Sequence, residues 1–420
     1  MKTTITEPLR RRALVLLFGV SLFNYLDRNV LGILLPAIKQ DLQLSDTQLG
    51  FISGIAFALF YAVMGLPIAR LADRLERRKV IAVALTLWSL MTAGCGMAMS
   101  FFQLALARTL VGVGEAGATP PSHSLIADLF NKERRAFALS IYGVGSPVGL
   151  IIGFLLGGWV AQHYGWRVVL IGVGLPGVLM ALAIYWWLPN PPRGDADGAT
   201  EVSQPPLGLT LRTLLSRPTF VHNSVAAGLY AAMYFALLAW TPSFFSRTHH
   251  MPIGEIGTWL SLSLGVSALF GTLAGGVVGD WLSRRDRRWL MWLCALVTLA
   301  AAPLFIVAFN VAQPGLAFVA LSVPFFLGVM QTGPQHATTQ GVAPPAMRAT
   351  AAATFLLIVS LINGFGAQFV GLLSDQLNAR YGEDALGIAL TYVTVGASVW
   401  SALHFWLAAR HLPRDFERPA

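Results

Sequence analysis

Residues 65–79 read GLPIARLADRLERRK. The stretch ends an apolar run that begins near residue 47, and it passes within a few positions into five basic and two acidic side chains. Such a change of character marks the point at which a helix leaves hydrocarbon for water. A degraded second copy, GGVVGDWLSRRDRR, occupies 275–288, and a second echo pairs GVGEAG at 112–117 with GVMQTG at 328–333. Two patterns recurring in the same order imply two halves of the same topology, although the spacing between them differs by several residues. Between the halves lies PNPPRGDADGATEVSQPPLGLTLRTLLSRP, residues 189–218, whose proline, glycine and acid content reads as a linker. The chain is thus expected to divide into 1–188, a cytoplasmic linker at 189–218, and 219–420.

Composition gives the class. Of 420 residues, 55% are apolar and 12% charged, and the mean hydropathy is +0.63. That is more apolar surface than one soluble core buries. Runs long enough to cross about 30 Å of hydrocarbon as a helix are placed near 13–36, 47–69, 80–99, 102–124, 136–161 and 167–188, then 219–245, 256–279, 289–309, 314–340, 349–373 and 385–409. The expectation is an all-α integral membrane protein of twelve helices in two pseudo-symmetric six-helix bundles. The continuous apolar runs lack the alternation of a lipid-facing barrel.

The formal net charge of +9 is a matter of topology. Loops on the side of the N-terminus carry 23 of the 29 lysines and arginines, the opposite side carries four, and Arg28 and Arg108 lie within helices. The positive-inside rule then puts both termini in the cytoplasm, and nucleic acid is not an expected partner. Arg10 to Arg12 followed by ALVLLFGV resembles a signal peptide, but the apolar run continues through Asp27 and Arg28 to Pro36 without a cleavage pattern, so it is read as the first helix. Cys95 and Cys294 fall inside predicted helices and are expected to be free thiols.

Four charged residues stand deep in the predicted helices: Asp27 and Arg28 in the first, Arg108 and Glu115 in the fourth. Ionisable groups at this depth are costly unless they face a bundle interior or a wet cavity, which makes them candidates for substrate or proton handling. Arg108 and Glu115 are seven residues apart, two helical turns, and point the same way. If Arg108 pairs with Asp27, Glu115 is left alone in an apolar wall and becomes the group that takes a proton. Arg28 is about 100° round the helix from Asp27, so it either holds a neighbouring helix or serves as a second anion contact. Asn24 and Thr119, one turn from Asp27 and Glu115, are candidate supporting groups. In the second half the notable groups are uncharged: Tyr230, Tyr234, Phe235 and Trp240, then Gln331, Gln335 and His336, and Asn363 with Gln368. Of these Tyr230, Tyr234, Gln331, Gln335 and Asn363 are the candidate substrate contacts.

The chain resembles the major facilitator superfamily over its whole length, and within it the Spinster group of lipid transporters. The residues that carry the resemblance are FNYLDRNVLGILLPAI at 23–38, ADRLERRK at 72–79, ARTLVGVGEAG at 107–117, SLIADLFNKERRAFALSIY at 124–142 and LPNPPRG at 188–194. The resemblance implies that Asp73, Arg74, Arg77 and Arg78, with a looser second copy in Asp280, Arg284 and Arg285, latch the halves on the cytoplasmic side in one conformation; Ala69 replaces the usual glycine. Residues 143–158, GVGSPVGLIIGFLLGG, resemble in degenerate form the fifth-helix pattern of antiporters.

The expected function is proton-coupled secondary transport, by alternating access, of an amphipathic anionic or zwitterionic lipid such as a lysophospholipid or sphingosine phosphate. The expected partners are that small substrate, protons and membrane lipids, for a monomer in the bacterial inner (plasma) membrane. No cofactor and no metal are expected. Alternatives are a proton- or sodium-coupled symporter of small organic anions, a drug exporter, or a membrane lipid sensor that does not transport. An enzyme is not expected: HExxH, GxSxG and GxxxxGK[ST] patterns do not occur.

Overall fold

A computed structural model describes residues 6–192 and 205–417, apart from the side chains of Leu66, Asp73, Lys132, Glu133, Ala136, Ala349 and Glu417. The middle of the expected linker, 193–204, lies outside the described residues. The first eight helices are α1 (Glu7–Leu42), α2 (Asp46–Ser53), α3 (Ile55–Arg74), α4 (Arg77–Gly96), α5 (Phe101–Glu115), α6 (Thr119–Leu129), α7 (Lys132–Tyr164) and α8 (Trp166–Trp187). After the linker come α9 (Leu207–Leu215), α10 (Pro218–Thr248), α11 (Ile253–Leu260), a π-helical turn at Ser261–Gly265, α12 (Val266–Ser283), α13 (Trp289–Asn310), α14 (Pro314–Val329), α15 (Thr332–Gly341), α16 (Arg348–Tyr381) and α17 (Ala385–Glu417). There are no strands among the described residues.

Among the described residues ten apolar stretches are long enough to cross a membrane, and the last of them, Thr350–Phe416, takes in nearly all of both α16 and α17. The fourth expected span is absent from those ten because it is broken into α5 and α6, each too short alone. With that stretch taken as two and the broken span as one, the described residues make twelve crossings. The break follows from sequence. Pro120 and Pro121 lack the N–H groups that would bond to the carbonyls of residues 116 and 117, and proline is well placed in the first turn of the helix that follows. GVGEAG therefore ends α5, and its echo GVMQTG ends α14 and begins α15.

The chain forms two compact units, Met1–Leu44 with Ala56–Glu201 and Pro252–Thr258, and Ser45–Ile55 with Val202–Met251 and Trp259–Ala420. In the first unit α7 lies along α1 and α8 along α4. Close approach is possible because glycines face the neighbouring backbone: a Cβ on Gly149 would stand 2.7 Å from Leu22 O. In the second unit α10, α13, α16 and α17 enclose Phe220, Met291, Cys294, Phe355, Phe405 and Leu412. Arg217 and Asp415 fasten the start of α10 to the end of α17, with Arg217 Nη1 donating to Asp415 O at 3.0 Å and Thr219 N to Asp415 Oδ2 at 2.8 Å. Both cysteines are free and buried.

Candidate functional site

The first unit gathers its charges where α1, α3 and the end of α5 meet. α1 supplies Asn24, Asp27 and Arg28, and α5, capped by Ser100 on Gln103 N, supplies Arg108 and Glu115. Glu115 is fully buried and Arg28 has a side chain only 14% exposed. Arg28 Nε donates to Glu115 Oε2 at 2.6 Å, and Asn24 Nδ2 donates to the same oxygen at 3.0 Å. Charge-assisted bonds of this length are the strong kind. Glu115 is also the last residue of α5, where unbonded carbonyls give the helix end a partial negative charge, so a cation there offsets both.

This pairing differs from the one the sequence expects. Among the described residues no ion pair within 4 Å joins Asp27 to an arginine; the partner of a carboxylate is Arg28, and the carboxylate is Glu115. The reason lies in the helix geometry already noted: Arg28 projects away from the side of Asp27 and reaches across to α5. Asp27 is buried, and its Oδ1 has no hydrogen-bond partner. Arg108 is buried as well, with its Nε unpartnered.

Aromatic rings complete the site. The Arg28 guanidinium carbon lies 4.5 Å from the Tyr61 ring centroid, 4.9 Å from that of Phe57 and 5.5 Å from that of Tyr25. Phe57 and Tyr61 are stacked, with centroids 5.6 Å apart. Arg108 lies 5.2 Å from the same Phe57 ring, so one ring serves both guanidinium groups. Each such contact contributes about 0.5–2 kcal/mol, more as the cation is desolvated. Sequence reading missed Tyr25, Phe57 and Tyr61, although the four-residue spacing of Phe57 and Tyr61 on α3 was a signal that they share a face.

The supporting and latch residues divide differently from the core of the site. Thr119 does not reach Glu115, because the break at 116–118 reorients it; Tyr142 Oη donates to Thr119 Oγ1 at 3.5 Å instead. Arg77 is buried and bound within the first unit: it donates to Ser124 Oγ at 2.9 Å and Pro191 O at 2.7 Å, and pairs with Asp128. Arg78 pairs with Glu76 at 3.5 Å, and Arg74 is exposed. The side chain of Asp73 lies outside the described residues. In the second unit Asp280 and Arg284 are exposed.

In the second unit Gln335 Nε2 donates to Gln331 Oε1 at 2.9 Å, and Thr298 Oγ1 donates to the same oxygen at 3.4 Å. Tyr230 and Tyr234 have ring centroids 6.0 Å apart, and Tyr234 packs on Phe325 at 5.0 Å. Asn363 is half-buried on α16. The same unit holds a polar cluster that the sequence did not disclose. Asp46 accepts from Arg247 Nη1 and Nη2 at 2.7 and 2.8 Å and from Ser374 Oγ at 2.7 Å, while Asp375 accepts from Thr47 N at 2.7 Å and Thr47 Oγ1 at 2.6 Å.

Comparison with known proteins agrees with this architecture. The family model described as Major Facilitator Superfamily matches residues 17–367. An MFS-type efflux pump of Mycolicibacterium smegmatis is 35% identical over 396 residues, covering 94% of this chain and 92% of its own. Protein spinster homolog 1 of Homo sapiens is 32% identical over 389 residues, covering 86% of this chain and 72% of its own. The crystal structure of a bacterial homolog to the human lysosomal transporter Spinster, inward-facing and unoccupied, superposes with a TM-score of 0.87 at 30% identity, covering 99% of this chain and 100% of that one. A D-xylose-proton symporter shares the fold at a TM-score of 0.76 and 18% identity. The chain belongs to the major facilitator superfamily, as a Spinster-like transporter of the inner membrane and not an enzyme.

Proposed function

We propose that the protein is a proton-coupled secondary transporter, working by alternating access, of an amphipathic lipid-like substrate with an anionic or zwitterionic head, such as a lysophospholipid or sphingosine phosphate. The observation that carries this reading is the unequal state of two buried carboxylates in one unit. Each has one buried oxygen without a hydrogen-bond partner, but Glu115 is ion-paired with Arg28 and bonded by Asn24, whereas among the described residues no ion pair within 4 Å joins Asp27 to an arginine. A buried carboxylate without compensation is costly, and a proton removes that cost. Asp27 is therefore the proton carrier in this state, and Glu115 becomes a second carrier when Arg28 is drawn away and no other cation takes its place. Arg108, with Nε unpartnered, is the anion contact for a head group. Tyr230, Tyr234, Gln331, Gln335 and Asn363 are the candidate contacts for the remainder of the substrate, and the two six-helix halves, 1–188 and 219–420, are the bodies that rock. Arg77, with Asp73, Arg74, Arg78, Asp280 and Arg284, is assigned to the conformational latch.

The test is reconstitution. Labelled lysolipid and a small carboxylate are offered to proteoliposomes with and without a pH gradient. Gradient-driven lysolipid flux supports the reading; lysolipid binding without flux points to a sensor, and flux of the carboxylate alone to an anion symporter. A second reading, export of hydrophobic drugs, draws support from the efflux-pump name of the M. smegmatis relative.

A further inference from the structure

The ring contacts of Arg28 have a chemistry that the anion-binding reading leaves unused. Three rings, Tyr25, Phe57 and Tyr61, stand 4.5–5.5 Å from one guanidinium carbon, and a fully buried carboxylate closes the box. One carboxylate oxygen takes Arg28 and Asn24, while the other, Glu115 Oε1, is buried with no partner. An anion flanked by aromatic faces is the arrangement that recognises organic ammonium ions, because ring quadrupole and carboxylate both attract a large, weakly hydrated cation. The chain fills this box with its own side chain.

We propose that Tyr25, Phe57, Tyr61 and Glu115 form a binding site for an organic ammonium group, and that Arg28 occupies it as a tethered cation which the substrate's ammonium displaces. The inference rests on the proposed transport of a head-grouped amphiphile and narrows the head to one that carries such a cation. Displacement has a consequence for the proton reading: Arg28 leaving Glu115 strips that carboxylate of its counter-ion, and the incoming ammonium replaces it. A substrate lacking the cation moves Arg28 only at the cost of an unpaired buried carboxylate.

A tethered competitor lowers apparent affinity by the fraction of time the box is free. The probe is hexyltrimethylammonium, with hexanesulfonate as the anionic control, measured by calorimetry on the full chain in lipid nanodiscs. Arg28→Ala is expected to tighten hexyltrimethylammonium binding by about tenfold, and the probe is expected to raise the thermal midpoint of this variant more than that of the wild type. Arg28→Gln, which keeps a donor at the position of Nε for Glu115 but removes the guanidinium from the rings, is measured beside it in case the alanine variant folds poorly. In either background Tyr61→Leu or Glu115→Gln is expected to weaken binding by about tenfold or more. Equal affinity in wild type and both Arg28 variants, or affinity unmoved by Tyr61→Leu, overturns the proposal. Since binding is read without a gradient, tight cation binding with no proton-driven flux overturns only the transport reading.

Discussion

Arg28 Nε lies 2.6 Å from Glu115 Oε2, so a residue of the first helix holds the last residue of α5 at the point where the fourth span breaks. Separation of the two partners leaves a buried charge on each. Arg28→Ala is expected to destabilise the protein by about 3–5 kcal/mol, and a paired replacement such as Arg28→Leu with Glu115→Leu by much less. Unfolding followed in detergent for both single variants and the double gives the coupling; additive losses count against the pair.

The rings beside that pair give a smaller effect. Phe57 serves both guanidinium groups, at 4.9 and 5.2 Å. Phe57→Leu keeps the apolar volume and removes the ring, and is expected to cost about 1–2 kcal/mol. In the Arg28→Leu, Glu115→Leu background the same change is expected to cost less, since only Arg108 remains over the ring.

Close helix approach in the first unit is tested by two glycines on α7. A methyl group at Gly149 meets Leu22 O at 2.7 Å, whereas at Gly143 nothing lies within 4 Å. Gly149→Ala is expected to cost about 1–3 kcal/mol through overpacking, and Gly143→Ala to be neutral or mildly stabilising. Equal thermal midpoints for the two variants would falsify the close α1–α7 packing.

The second unit carries its own ionic cluster. Asp46 takes two bonds from Arg247 and one from Ser374. Asp46→Asn removes the charge but keeps an acceptor, and is expected to cost about 1–3 kcal/mol, less than the Arg28 variant because Arg247 is 21% exposed. High salt is expected to lower the cost of Asp46→Asn more than that of the Arg28 variant, because the more buried pair is screened less.

Much of this was open to inspection in the chain itself. The two echoes predict real structural equivalents: GVGEAG and GVMQTG each mark the break of a span, at Glu115 and beside Gln331. A run of apolar residues specifies a crossing whatever its neighbours, and Arg28, Asp27, Arg108 and Glu115 stand out because charge is rare there. Which charge meets which is another matter. It depends on rotation about α1 and on where α5 stops, and a break set by Pro120 and Pro121 moves Thr119 away from Glu115. Phe57 and Tyr61 look like any membrane aromatics until Arg28 is placed beside them. Asp46, Arg247 and Asp375 are missed for a similar reason: Asp46 and Arg247 stand at helix ends and Asp375 in the polar last turns of α16, where such residues are ordinary, and only tertiary packing brings residues 46 and 375 together.

The central claim is that Asp27, unpaired while Glu115 is held, takes the coupling proton. The direct measurement is lysolipid flux into proteoliposomes with and without a pH gradient, for the wild type, Asp27→Asn and Glu115→Gln. Gradient stimulation is expected in the wild type, its loss in Asp27→Asn with gradient-independent exchange retained, and partial loss in Glu115→Gln. Gradient-driven flux at the wild-type rate in Asp27→Asn contradicts the assignment.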